Sequence, residues 1–167
     1  MDTGQYNDEF VKLLDKHKGI LLYFCMIYTD RSSDGIENLY QEIVYQLLRG
    51  YPRFRGGSQI GTWVYRTALN TARQQWRWQR RQPQTVLLDP ELCNCLADAG
   101  SDPRVSQMYE LIDRLHSEEK QVMALYLAGL KTKEMAEILS LTESVVRQRI
   151  HRTITKLKKM YETENAK

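Results

Sequence analysis

Apolar residues recur along this chain at helical spacing, and no useful length alternates with the period of two that a half-buried strand requires. Phe10, Leu13, Leu14, His17, Leu21, Phe24, Cys25 and Tyr28 advance by one, three or four residues at a time and predict one long helix with a single inner stripe. Asp34, followed three residues later by Glu37, reads as a capping box for a second helix. Ile36, Leu39, Tyr40, Ile43 and Leu47 form its inner face, with Gly50 and Pro52 as its stop. Arg53 to Gly57 then reads as a loop, and Ser58 as the N-cap of a third helix reaching about Arg81.

The third helix carries two apolar stripes. Ile60, Trp63, Val64, Thr67, Ala68 and Thr71 make one suited to a core, and Tyr65, Leu69, Ala72 and Trp76 make another. Beyond it, Pro83, Pro90 and Pro103 punctuate a stretch rich in acids and small residues, which reads as a tether. Helical spacing resumes at Val105, Met108, Ile112 and Leu115, and again after Ser117 with Val122, Leu125 and Tyr126, ending at Gly129. Thr132 to Leu139 predicts a short helix and Ser140-Leu141 a turn. Thr142 is the expected N-cap of a last helix running to about Tyr161. Met135, Ala136 and Leu139 facing Val146 and Ile150 across that turn is helix-turn-helix spacing, although Ser140 stands where a left-handed backbone favours glycine. The expected fold is all-α: two small helical domains, residues 1–82 and 104–167, joined by a linker over 83–103, with the helix-turn-helix in the second.

Composition adds that 42% apolar and 27% charged residues suit a globular protein rather than a disordered one. The net charge of +3 hides a strong segregation. Residues 49–88 hold eight arginines and no acid, and residues 131–167 hold nine basic against five acidic side chains. Residues 1–48 and 89–130 each carry eight acids, against four and three bases. Two basic blocks between acidic ones point to two surfaces that face a polyanion.

The candidate chemistry follows that division. On the last helix, Ser144, Arg147, Gln148, His151 and Arg152 share an outer face; arginine matches guanine O6 and N7, and glutamine matches adenine N6 and N7. Arg149, Lys156, Lys158 and Lys159 are expected to meet phosphates. In the third helix, Arg66, Arg73, Arg77, Arg80 and Arg81 interleave with aromatic residues, a mixture suited to unstacked bases. An enzyme is not expected: His17, His116 and His151 are scattered, and no glycine-rich phosphate loop or nucleophile with a base is present. Cys93 and Cys95, even with His116, are one residue too closely spaced and one ligand short for a zinc site, so neither metal nor cofactor is expected. Three cysteines, no leader pattern and no long apolar run lead to the expectation of a cytoplasmic protein that is not inserted in a membrane.

Leu39-Tyr40-Gln41-Glu42-Ile43, Arg53-Phe54-Arg55-Gly56-Gly57-Ser58 and Thr62-Trp63-Val64-Tyr65-Arg66-Thr67-Ala68-Leu69-Asn70 together resemble the second conserved region of bacterial RNA polymerase sigma factors. The helix-turn-helix resembles their fourth region, and the ordered pair resembles the extracytoplasmic-function group. The resemblance implies binding to core RNA polymerase through Leu39, Gln41, Glu42 and Tyr45, with Asn38 standing where the family usually has aspartate. It implies contact with melted −10 DNA through Arg55, Gly57, Ser58, Gln59, Arg66, Asn70 and Arg73, and with the −35 duplex through Ser144, Arg147, Gln148, His151 and Arg152. It also implies an anti-sigma partner. Trp76 and Trp78 are not typical of the family's basic tail. The competing expectation is a helix-turn-helix regulator that binds duplex DNA without joining polymerase.

Overall fold

A computed structural model describes residues 3–81 and 103–166 of the chain. The described residues are helical with no strand, and the chain divides into two compact units, Met1–Gln82 and Pro83–Lys167. The predicted tether and the Cys93/Cys95 pair lie outside the described residues.

In the N-terminal unit α1 (Thr3–Tyr28), α2 (Ser33–Gly50) and α3 (Ile60–Arg81) pack pairwise against one another. Phe10, His17, Leu21, Phe24, Cys25 and Tyr28 of the expected α1 stripe are buried, and they meet Leu39, Ile43 and Leu47 of α2 and Val64, Ala68, Leu69 and Ala72 of α3. Both stripes of α3 therefore enter the core: the helix packs against α1 and α2 at once, and Leu69 and Ala72 of the second stripe are as buried as Val64 of the first. Burial pushes the Cys25 thiol up to about 12, so it behaves as a core residue.

Three local expectations are corrected. The N-cap of α2 is Ser32, whose Oγ accepts the Gly35 N–H at 3.0 Å, and Asp34 falls inside the first turn, where its charge suits the helix dipole. Gly50 does not stop α2. It is the last helical residue, and the chain continues into a short 3-10 turn, Tyr51–Arg53. Its lack of a side chain serves packing instead, since a Cβ there would stand 2.9 Å from Cζ2 of Trp63. Finally, the first i→i−4 bond of α3 runs from Trp63 N–H to the Gln59 carbonyl, which puts Gln59 rather than Ser58 at the N-cap position.

The C-terminal unit comprises α4 (Pro103–Asp113), α5 (Ser117–Leu127), α6 (Thr132–Leu139) and α7 (Glu143–Asn165). Its core contains Tyr109, Leu111, Ile112, Leu115, Val122, Leu125, Met135, Ile138 and Val146. Val105 and Tyr126 turn out exposed, and Ile138 takes the buried place expected for Leu139. His116, not Ser117, is the N-cap of α5, and its backbone N–H donates to Glu119 Oε2 at 3.0 Å. The α5 end is closed by Gly129 at φ 79°, with Leu130 N–H bonded to the Leu125 carbonyl and Gly129 N–H to that of Tyr126. Ser140 closes α6 by the same two bonds at φ 55°, accepting the strain that glycine would avoid. Thr142 caps α7 as expected, its Oγ1 accepting the Val145 N–H.

Candidate nucleic-acid interface

Two surfaces collect the residues that the charge pattern singles out. In the N-terminal unit the turn after α2 and the start of α3 enclose an open cleft of about 440 Å³. Gly50, Arg53, Phe54, Arg55, Gly57, Ser58, Trp63 and Arg66 line it. Phe54 of the turn and Trp63 of α3 pack at a tilt, 5.3 Å between ring centroids, which ties the turn to the start of α3 at the cleft. Gly56 makes that turn in the left-handed region, at φ 73°. Three arginines and no acid in its lining make it a positive concavity that also offers a hydroxyl and two aromatic rings. Gln59 is exposed beside it, while Asn70 (exposed) and Arg73 (half-buried) continue along α3.

The aromatic residues of α3 divide sharply. Tyr65, expected among the base-stacking residues, is half-buried and engaged within the unit: its hydroxyl lies 2.7 Å from His17 Nδ1, and its ring meets those of His17 and Phe24 edge-on. Trp76 sets its edge against buried Tyr28, and the Arg80 guanidinium lies 4.5 Å over its ring. Burial pushes the Tyr28 hydroxyl upward, opposed by the nearby Arg73 charge. His17 is the residue whose environment the sequence did not disclose. Burial, helped by Lys16, holds its imidazole below the usual 6.5, and its Nε2 has no hydrogen-bond partner.

On the outer face of α2, Gln41, Glu42, Tyr45 and Leu48 are exposed, with Arg49 stacked 5.6 Å over the Tyr45 ring. Gln41 donates to Glu37 and Gln46 to Glu42 along this face. Leu39 does not belong to it. With no exposed surface it is a core residue, which removes it from the expected polymerase-contacting set.

In the C-terminal unit the outer face of α7 presents Ser144, Arg147, Gln148, His151 and Arg152 to solvent. Arg147 reaches Glu143 one turn back at 3.8 Å, an exposed pair of little energetic weight. Arg149 and Lys156 are seven residues apart and project from the flank of the helix, roughly 100° away from that face. There they meet the first turn of α5: Arg149 Nη1 lies 3.1 Å from Glu118 Oε2, and Lys156 Nζ 2.7 Å from Glu119 Oε2. These two cations, expected at phosphates, are instead spent within the unit. Lys158 and Lys159 remain exposed. Buried Lys120 pairs with Asp113 at 3.0 Å, and Arg114 pairs with Glu164 near the end of α7.

Among the described residues no cluster of histidine, cysteine and acid could hold a metal ion, and no helix is long and apolar enough to cross a membrane. The Sigma-70 region 2 family model matches residues 13–82, and the Sigma-70, region 4 model matches residues 106–157. The chain is 27% identical over 151 residues to the ECF RNA polymerase sigma factor SigX of Bacillus subtilis, covering 84% of this chain and 78% of that protein. It is 27% identical over 134 residues to the ECF RNA polymerase sigma-E factor of Escherichia coli, covering 72% and 70%. Among solved structures it resembles CnrH in complex with the cytosolic domain of CnrY, with TM-score 0.70, 17% identity and 94% and 90% of the two chains covered. It also resembles the sigma factor RpoE in complex with the anti-sigma factor NepR from Bartonella quintana, with TM-score 0.66, 15% identity and 92% and 97% covered. With both family models in this order, over a helical unit bearing a positive cleft and a helix-turn-helix unit bearing an exposed polar face, the chain belongs to the extracytoplasmic-function group of RNA polymerase sigma factors.

Proposed function

We propose that this sigma factor joins core RNA polymerase through the exposed face of α2, reads a −35 duplex with α7, and stabilises an opened −10 element by holding an extruded base in the cleft at the start of α3. It performs no chemistry itself. The observation that carries this reading is the cleft, because Arg53, Arg55 and Arg66 surround a concavity furnished with Ser58, Trp63 and a bare Gly57 backbone. A base that has left the stack finds there a ring, a hydroxyl and cations for its flanking phosphates. Holding it offsets an unstacking cost of a few kcal/mol, so opening is favoured only where the sequence supplies a fitting base.

On α7, Arg147, Gln148, His151 and Arg152 are aimed outward while Arg149 and Lys156 are held back, which supports base reading by the first group and phosphate contact by Lys158 and Lys159. Gln41, Glu42 and Tyr45 supply an exposed polar and aromatic surface for the polymerase. The sigma factor of one similar structure is bound by an anti-sigma factor, and an inhibitor of that kind is proposed for this chain too, with the cytoplasm as its place of action. A regulator that never joins polymerase accounts for residues 106–157 and leaves the region 2 match unexplained.

The test is run-off transcription with purified core polymerase. Replacing Ser58 and Gln59 together with alanine should spare binding to a closed duplex promoter and impair opening. On a template with a pre-melted bubble the defect should shrink, since most of the unpairing cost is already met. Equal defects on both templates, or loss of duplex binding, would show the loop to be structural.

A further inference from the structure

Trp76 and Trp78 stand two residues apart in the same basic tail, and the fold treats them in opposite ways. Trp76 is half-buried between Tyr28 and Arg80. Among the described residues Trp78 is the most exposed large apolar side chain, at 59%, and no ring or cation contact to it is found there. Its neighbours on the outer surface of α3 are Gln74 one turn back, Arg77 beside it and Arg81 ahead, all exposed. Asn70, Gln74, Arg77 and Arg81 advance by four, three and four residues, a polar stripe that contains no acid and leads back to Arg66 at the cleft. The exposed indole leaves a large flat ring available on this surface, where its neighbour Trp76 is packed away. The charge around it selects a partner: no acid occurs anywhere in residues 49–88.

We propose that Trp78, with Arg77 and Arg81, is a stacking platform for an unpaired nucleic-acid strand, separate from the cleft that takes the extruded base. The indole offers a face to any base regardless of identity, and the two guanidiniums hold the phosphates on either side. Along the helix Trp78 stands twelve residues from Arg66, which is about 18 Å or roughly five stacked nucleotides. A strand anchored in the cleft and running along the acid-free stripe therefore reaches the platform after a short span. The anchoring of Trp76 against Tyr28 half a turn earlier fixes the azimuth at which Trp78 is presented. The proposal rests on the N-terminal unit being the one that faces opened DNA.

The test uses the full chain and fluorescein-labelled oligo-dT, read by anisotropy at several salt concentrations, with a duplex of the same length beside it. W78A should weaken oligo-dT binding at least about fivefold, W78F should keep most of the affinity, and duplex binding should be unchanged for both. The pair R77A and R81A should flatten the salt dependence by about 0.7 per arginine in logarithmic slope. Unchanged oligo-dT binding by W78A, or an equal loss on duplex, would overturn the platform. The Ser58 and Gln59 double-alanine variant, run on a promoter strand, separates the two ideas. If it alone loses affinity, the cleft stands and the platform falls; if W78A alone loses affinity, the platform stands without the cleft.

Discussion

The two units order their cations with opposite chemistry. In the N-terminal unit arginines lie on aromatic rings, Arg80 over Trp76 and Arg49 over Tyr45. In the C-terminal unit they lie against carboxylates, Arg149 on Glu118 and Arg114 on Glu164, with Lys156 on Glu119. A ring orders a guanidinium without neutralising it, so Arg49 and Arg80 keep their charge. A carboxylate orders the cation and cancels it, which locks the flank of α7 onto α5 and confines positive charge to the outer face. Charge count alone therefore overstates the unpaired positive charge of the second unit.

The cores differ in the same sense. Phe10, Phe24, Tyr28, Tyr51, Phe54, Trp63, Tyr65 and Trp76 make ring contacts with one another or with His17 in the N-terminal unit, whereas the second unit is packed mainly from aliphatic side chains around buried Lys120, which reaches out to the exposed carboxylate of Asp113. All three tryptophans belong to the first unit, so their fluorescence reports its unfolding alone.

The largest effect is expected from Phe24→Ala, which removes a fully buried ring from the junction of α1 and α3. It should cost about 3–5 kcal/mol in the urea transition followed by tryptophan emission. A loss below half of that would mean the aromatic core is not what holds the first unit together.

Next is the His17–Tyr65 pair. Tyr65→Phe strands a buried imidazole nitrogen and should cost about 1–3 kcal/mol in the same transition. The imidazole itself makes the unit acid-sensitive. Its folded pKa lies below 6.5, so the unfolded chain binds the proton more readily. The contribution of neutral His17 is complete above 6.5 and is lost as pH falls from there through the lowered folded value. Tryptophan-detected stability that stays flat between neutral pH and pH 5.5 would contradict that burial.

A smaller effect, of opposite sign, belongs to the second unit. Ser140→Gly relieves a left-handed backbone and should raise its stability by about 1 kcal/mol, measured by far-ultraviolet circular dichroism. No gain would mean that the turn's side-chain environment, rather than its backbone, sets the cost.

The smallest effect sharpens the contrast in charge. Glu118→Gln with Glu119→Gln releases Arg149 and Lys156, and the salt dependence of non-specific duplex binding should steepen by about 0.9 per released cation. The same change removes an acid-labile clasp. Burial pushes the Glu119 carboxyl up, yet the Lys156 hydrogen bond, the His116 N–H and their charges together hold it below its usual 4.5. The clasp is thus present above 4.5 and lost as pH falls through the lowered value, and the variant should lack that step. An unchanged salt slope would return Arg149 and Lys156 to the DNA-facing set.

Much of this was legible in residue order because it is governed by local rules. Helices, their approximate ends, the left-handed strain at Ser140 and the outer faces of α2, α3 and α7 all follow from the 3.6-residue repeat and from turn chemistry within a few positions. Where boundaries slipped, at Ser32, Gln59 and His116, the shift was one or two residues, because several polar side chains near each start could cap and only backbone geometry selects among them. Which positions on a face are spent internally is a different matter. Lys156 and Glu119 are 37 residues apart, and His17 and Tyr65 are 48 apart. Leu39 and Tyr45 lie on one short helix yet end with no exposure and with half their surface exposed. Trp76 and Trp78 are nearly adjacent, but only the first has Tyr28 beneath it. A periodic pattern says which way a side chain points along its own helix. Whether a ring, a carboxylate or solvent waits there depends on helices brought together by burial from far along the chain, and no spacing within one element carries that information.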